Sequence, residues 1–442
     1  MPAPGRADLC KSLLLIAGLS AIVGLCIWLQ WWWAQTSLDV SVYWEAGARM
    51  RAGGQDLYAP SVDPANHVGH FIYPPLFATL YAPLTWLPRW LGYGLWTLLE
   101  LGLLVATYEG ARRLTGVQQW AQRRDLALWL LLALWGAIWM NMVEGQVNLL
   151  IGALVCWGLH WIEQKKTWRG ALLLAAAIHI KVVPLVLLPV LVVQGRWRAA
   201  LASVVCAGLL WLAPLVWTVP AFGIAGGMQR NVALTSEYRD VIAAPRLKTQ
   251  SSDLLGGVRE PNNGLPALWQ RYFSKGQRLS NEFRDLSPLV VQLPETPARW
   301  GGLVIAALMG CGAMFAAWWR RNDQAARATV AGMALVCGML ANLLFWPHHM
   351  CASVLLLAPL WTQLAGFKRW AVALALMVFA WLPVNDQTPT LAWMGAWGTP
   401  TWAILGVWGV AMWKTLKPSP LQATSESLYS RAHEETTRNS TA

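Results

Sequence analysis

Residues 126–143 read LALWLLLALWGAIWMNMV, eighteen consecutive positions without an ionisable side chain. At 1.5 Å per residue a helix of this length crosses most of a hydrocarbon layer ~30 Å thick. Its flanks are charged, with Arg123-Arg124-Asp125 before it and Glu144 after it. Working outward, runs of the same kind recur at 12–34, 90–110, 147–163, 170–194, 199–219, 299–319, 328–346, 350–366, 370–385 and 392–413. The 442-residue chain is 56% hydrophobic and 13% charged, where soluble domains carry about 25% charged residues. An ordinary soluble enzyme, a disordered chain and a fibrous chain are excluded. The runs are continuous rather than alternating in ~10-residue segments, which excludes a β-barrel. The reading is an all-α polytopic membrane protein.

Positive charge sets the orientation. Twenty of the 34 Lys and Arg fall before the first run, in 111–125, 164–169, 195–198, 320–327 and 367–369, and in the tail from Lys414. The short segments 144–146, 347–349 and 386–391 hold none. The N-terminus is therefore expected in the cytoplasm, with 35–89 and 220–298 as the larger outer loops of a membrane domain 1–417. Residues 418–442 form a polar cytoplasmic tail expected to be disordered. Within 35–89, residues 40–52 read as a short helix closed by Gly53-Gly54, and 74–88 (PPLFATLYAPLTWLP) as a second helix, both at the interface. The stretch 170–194 is interrupted by His179, Lys181 and Pro184 and reads as two half-spans. The net charge of +12 comes as pairs between apolar runs, which is anchoring and not a nucleic-acid surface. Seven cysteines, odd in number and without CxxC spacing, read as small core residues.

Few carboxylates stand where an outer span end meets protein. Asp39, directly after the first run, is either a helix N-cap or a general base beside apolar walls; Tyr43, Ala46 and Met50 share its helix face. Glu144-Gly145-Gln146-Val147-Asn148 is either a solvated turn or a hydroxyl-binding edge. Glu100 lies mid-span, where a carboxylate is a functional candidate by default. Lys181, within an apolar run broken by Pro184, either snorkels or lines a cavity and meets a phosphate. His348 and His349 follow Trp346-Pro347 at an outer span end, as belt residues or as donors to a phosphate or sugar. Arg271 is either a solvated loop residue or a contact to phosphate or carboxylate. No P-loop, GxGxxG, HExxH or GxSxG occurs.

These features in order resemble glycosyltransferase family 87, of the GT-C superfamily of polyprenyl-phosphate-sugar-dependent transferases. The carriers are Asp39, Tyr43, the Gly-Gly-x-Asp-x-Tyr stretch from Gly53 to Tyr58, and Phe71-Ile72-Tyr73-Pro74-Pro75-Leu76. Gly145-Gln146-Val147-Asn148, Lys181-Val182-Val183-Pro184 and Trp346-Pro347-His348-His349 continue the match. The resemblance implies a GT-C-like fold of about 11–13 spans with interface helices in the first outer loop. It implies inverting transfer of a hexose, commonly mannose, from a polyprenyl-phosphate-sugar to a glycolipid or glycan at the non-cytoplasmic face of the cell membrane. Asp39 matches the proposed catalytic carboxylate, and Lys181, His348 and His349 match positions near the donor phosphate. Tyr43, Tyr73, Glu144, Gln146, Asn148 and Arg271 are expected to bind substrate. The long loop reads Asn262-Asn263-Gly264 where Asn-Gln-Ser is more usual. No cofactor and no metal site are expected, since no second acidic ligand accompanies Asp39. The expected partners are the lipid-linked donor, the glycolipid or glycan acceptor and membrane lipids. The alternatives are a transporter or flippase of lipid-linked sugars, which needs no base, and an O-antigen ligase or polymerase.

Overall fold

The structure, a computed structural model, describes residues 39–62, 68–244, 262–274, 290–342, 344–382 and 389–417, together with Gly24, Leu25 and Trp28. The expected first span and the tail 418–442 lie outside the described residues, apart from those three helical positions. The chain is an all-α polytopic membrane protein; among the described residues the β-structure is one ribbon of two-residue strands, β1 (Ser61–Val62) and β2 (Val68–Gly69), and an isolated bridge between Ser274 and Leu293.

The first described helix, α1 (Asp39–Arg51), buries Tyr43, Ala46 and Met50 and closes where Gly53 and Gly54 adopt positive φ. The second, α2 (Pro75–Tyr81), runs on as a 3₁₀ turn over Ala82–Trp86. Both form where the proline and glycine punctuation places them. Then come α3 (Arg89–Thr115), α4 (Trp120–Glu144) and α5 (Asn148–Glu163). The expected half-spans appear as α6 (Thr167–Ile180) and α7 (Leu187–Val193). They are separated by extended backbone at Lys181 and a 3₁₀ turn through Pro184, which has no N–H to continue the ladder.

Among the described residues four helices are long and apolar enough to cross a membrane, or five counting one bent pair. Other expected runs are broken into shorter apolar helices. The run 199–219 is two helices, α8 (Trp197–Leu210) and α9 (Leu215–Glu237), bent by 59° around Pro214. The α9 helix passes through Pro220 and a non-helical Gly223 and ends in a π turn over Tyr238–Ala243. The segment 220–298 therefore begins as helix rather than loop. The α10 helix (Leu265–Phe273) precedes α11 (Glu295–Trp319) and α12 (Gln324–Ala341). A 3₁₀ turn over Pro347–Ser353 leads into α13 (Val354–Gln363), and α14 (Phe367–Leu376) ends in a π turn. The run 392–413 splits into α15 (Pro389–Ala396) and α16 (Thr399–Leu416) at Gly398, whose φ is +66°.

The site is positioned by α3, α4, α5 and α6. The α5 helix packs against α3 and α6, and the α5–α6 contact is glycine on glycine. A Cβ at Gly170 would lie 2.4 Å from the Gly158 carbonyl oxygen. Without water to drive apolar association, membrane helices bind through such close backbone approach. The C-terminal end of α5 carries Glu163, whose carboxylate takes Arg196 at 2.6 Å and Arg327 at 2.8 Å. The other end of α5 starts at Asn148, about 24 Å away along a sixteen-residue helix. The cationic loops thus gather at one end of the bundle, and the polar residues described next lie at the other. Cys156, Cys206, Cys337 and Cys351 are buried and free, and Cys311 is exposed.

Candidate functional site

Four segments converge at that other end. The α1 helix brings Asp39 in its first turn, where the helix dipole favours a carboxylate. The turn from α4 to α5 brings Glu144, Gln146 and Asn148. The break after α6 brings Lys181, and the 3₁₀ turn after α12 brings His348. The α4–α5 turn is tight because Gly145 takes φ +67°, closing the end of α4 in the left-handed conformation that suits glycine.

Hydrogen bonds hold Asp39, Tyr43, Tyr73 and Gln146 together and join Lys181 to Asn148, while His348 and Glu144 lie in close contact beside them. The Gln146 side-chain amide donates to the Asp39 carboxylate. The Gln146 Oε1 accepts from Tyr43 OH at 2.9 Å and from Tyr73 OH at 3.2 Å, and the two phenols lie 2.9 Å apart. Lys181 Nζ donates to Asn148 Oδ1 at 2.6 Å. His348 Nδ1 sits 2.7 Å from Glu144 Oε2. Gln146 and Asn148 are each 2% exposed, so these amide contacts form in a low-dielectric setting where hydrogen bonds to charge are strong.

Burial first, and the Glu144 carboxylate second, push the Asp39 carboxyl from its usual 3.8 up to about 6, while His348 and Lys181 pull it back. Asp39 thus sits in a common field with the Glu144 carboxylate, the Lys181 ammonium and the His348 imidazole. A carboxylate poised near neutrality is a competent proton acceptor at physiological pH. Burial and the Tyr73 phenol push Tyr43 well above the ordinary phenol range, so it stays a neutral donor. Among the described residues no three His, Cys, Asp or Glu side chains converge as a metal-binding set.

Of the residues expected from sequence, Asp39, Tyr43, Tyr73, Glu144, Gln146, Asn148, Lys181 and His348 come together. His349 packs edge-on against His348, ring centroids 4.7 Å apart, and its Nδ1 accepts from the Trp346 N–H at 3.3 Å. Arg271 stands apart. It is 1% exposed and donates to the Ala396 and Asn262 carbonyls at 3.2 and 2.8 Å, tying α10 to α15. The solvated-loop reading of Arg271 is therefore incorrect, because the α10 helix lays its basic residue inward against two carbonyls. Asn262 is part of the same strut, its Oδ1 accepting from the Phe345 and Gly264 N–H groups at 3.0 Å.

Sequence reasoning missed Asn141. It is the lone amide in the 126–143 run, and an amide inside an apolar span needs partners. It finds them in Glu100, Gln146 and Asn148.

The model of "Glycosyltransferase family 87" matches residues 71–347, more than half the chain. A polyprenol-phosphate-mannose-dependent alpha-(1-2)-phosphatidylinositol mannoside mannosyltransferase of Mycobacterium tuberculosis is 28% identical over 417 residues, 86% of this chain and 92% of that protein. A polyprenol-phosphate-mannose-dependent alpha-(1-2)-phosphatidylinositol pentamannoside mannosyltransferase of Mycolicibacterium smegmatis is 31% identical over 32% of this chain and 35% of its own length. A pentamannoside mannosyltransferase of the same description from Mycobacterium tuberculosis strain CDC 1551 is 22% identical over 63% of this chain and 55% of its own. No solved structure matches the chain. The apolar helices, the polar constellation at one bundle end and this match over most of the chain lead to one identification: the protein is a membrane glycosyltransferase and belongs to glycosyltransferase family 87.

Proposed function

We propose that the protein transfers mannose from a polyprenyl-phosphate-mannose donor to a glycolipid acceptor at the non-cytoplasmic face of the cell membrane, with inversion at the anomeric carbon. The observation that carries this reading is that Asp39 and Lys181 hang from one short turn, through Gln146 and Asn148 respectively. The printed names of the relatives, dependent on polyprenol-phosphate-mannose and acting on phosphatidylinositol mannosides, support the donor and acceptor classes.

The chemistry follows from the charges. The acceptor oxygen attacks the anomeric carbon as its proton passes to the Asp39 carboxylate. The bond from the anomeric carbon to the phosphate oxygen breaks, and its electron pair leaves with the polyprenyl phosphate. The Lys181 ammonium, with the His348 imidazole beside it, faces the negative charge that develops on the leaving phosphate. One carboxylate suffices, because a phosphate leaves without the proton that a departing alcohol requires. The Tyr43 and Tyr73 phenols, with Glu144, line the sugar side. His349 serves the same face by fixing the Trp346 turn, and Arg271 by holding α10.

The test is transfer from a radiolabelled polyprenyl-phosphate-mannose by the purified protein. Asp39→Asn should lower turnover by about a thousandfold, within the range general base catalysis contributes, while Lys181→Met should raise the donor KM and lower kcat. Full activity in folded Asp39→Asn would sink the base. Movement of the intact lipid-linked sugar across a bilayer, unaffected by Asp39→Asn, would identify a transporter instead.

A further inference from the structure

Asn141 grips both residues that hold the base and the ammonium, Gln146 and Asn148. It is wholly buried, as is Glu100 on α3. Its Nδ2 donates to Glu100 Oε1 at 2.8 Å and to the Gln146 carbonyl at 2.9 Å. Its Oδ1 accepts from the Asn148 N–H at 3.2 Å and the Asn148 side-chain amide at 3.1 Å. Its backbone carbonyl accepts the Gln146 N–H at 2.8 Å. A carboxamide offers two N–H donors and two lone pairs, and here all four are used.

The consequence is directional. Gln146 leaves this hub on one side to donate to Asp39, and Asn148 leaves it on the other to receive Lys181. The gap between base and cation is therefore set by how Asn141 grips the turn, and Glu100 fixes which way its amide faces. We infer that Asn141, oriented by Glu100, is a positioning residue that sets the spacing between Asp39 and Lys181 for transfer. This rests on the roles proposed above for those two residues.

The polarity of the contacts supplies the test. Asn141→Asp keeps shape but removes both N–H groups. The new side chain then faces Glu100 and the Gln146 carbonyl without the amide's N–H donors. Adding Glu100→Gln gives the first of those contacts an N–H donor back. Glu100→Gln alone keeps an oxygen for Asn141 to donate to.

The expected pattern, measured as mannosyl transfer by the full chain in detergent across pH, has four parts. Asn141→Asp lowers kcat tenfold or more with donor KM changed less than threefold. It also moves the acid limb of kcat/KM upward, because Gln146 no longer donates squarely to ionised Asp39. Glu100→Gln alone lowers kcat by less than Asn141→Asp does. The double variant recovers at least fivefold over Asn141→Asp and returns the limb. If Asn141→Asp does not fold, Asn141→Ser, too short to reach Glu100, carries the same expectation for kcat and limb. Wild-type kcat and limb in either folded variant overturns the role, as does a loss that leaves the limb in place or that Glu100→Gln fails to relieve. Asp39→Asn measured alongside separates the two ideas. If it retains turnover, the base assignment fails; if it is dead while Asn141→Asp is indistinguishable from wild type, only the positioning role fails.

Discussion

On the proposed role of Asp39 as the base, its raised carboxyl sets the pH dependence of the enzyme. The perturbation is acidification, then removal of Glu144 charge by Glu144→Gln. The pH dependence of kcat/KM reports the free enzyme, so the free structure supplies the number. Asp39 must be ionised to accept a proton, and its carboxyl sits at about 6 rather than 3.8. Activity should be flat above about pH 7 and fall tenfold per unit below about pH 5.5. The roughly two-unit displacement corresponds to about 3 kcal/mol against ionisation, at 1.36 kcal/mol per unit. Burial is the first cause and Glu144 the second, so Glu144→Gln should shift the limb to lower pH, by on the order of one unit. The assay is the initial rate of transfer from radiolabelled donor at sub-saturating concentration between about pH 3 and 9, bracketing both carboxyl positions. A wild-type limb near pH 4 would mean a solvated carboxyl and refute the desolvation argument. A Glu144→Gln limb that stays or moves upward would refute the like-charge contribution.

Three other outcomes follow from the packing. A carboxyl whose folded pKa lies above its unfolded value binds its proton more tightly when folded, so ionisation destabilises the fold progressively from about pH 4 to pH 6 and fully above. Asp39→Asn should therefore raise the melting temperature in detergent at pH 7.5 by a few degrees and leave it unchanged near pH 4; a lowered value at pH 7.5 would contradict this. Arg271→Met leaves the Ala396 and Asn262 carbonyls without their donor, at about 1–3 kcal/mol each, and should lower the melting temperature without moving the acid limb. Gly170→Ala forces a methyl to within 2.4 Å of the Gly158 carbonyl, and overpacking of this kind costs about 1–3 kcal/mol. Gly208→Ala, with nothing within 4 Å, should be neutral or stabilising in the same melt.

What the sequence made legible were polar residues at the ends of apolar runs. Asp39, Glu144, Gln146, Asn148 and Lys181 stand out because a membrane span tolerates few such groups. Their convergence was legible only through the family's motif order, because the Asp39–Gln146 contact joins residues 107 positions apart and no spacing rule reaches that far. The breaks were harder. Averaging hydropathy over 199–219 or 392–413 hides the loss of helix at Pro214 and Gly398, although Pro184 announced its break because a lysine stood beside it. Asn141 escaped because it is a neutral amide diluted by seventeen other residues; Glu100 stood out as a mid-span charge, but its partner on the next helix did not. Arg271 misled because a basic residue in a polar stretch reads as solvated, whereas α10 turns it inward.

Loops usually absorb added residues cheaply, since closure entropy grows slowly with length. The link from Glu144 to Asn148 is an exception. One extra residue there would rotate Asn148 by about 100° around the axis of α5. The ammonium's partner would swing away while the base's partner kept its place. Among homologues and in engineered variants, this stretch should hold its length while the long segment after α9 varies. A single-residue insertion there should silence the enzyme without unfolding it.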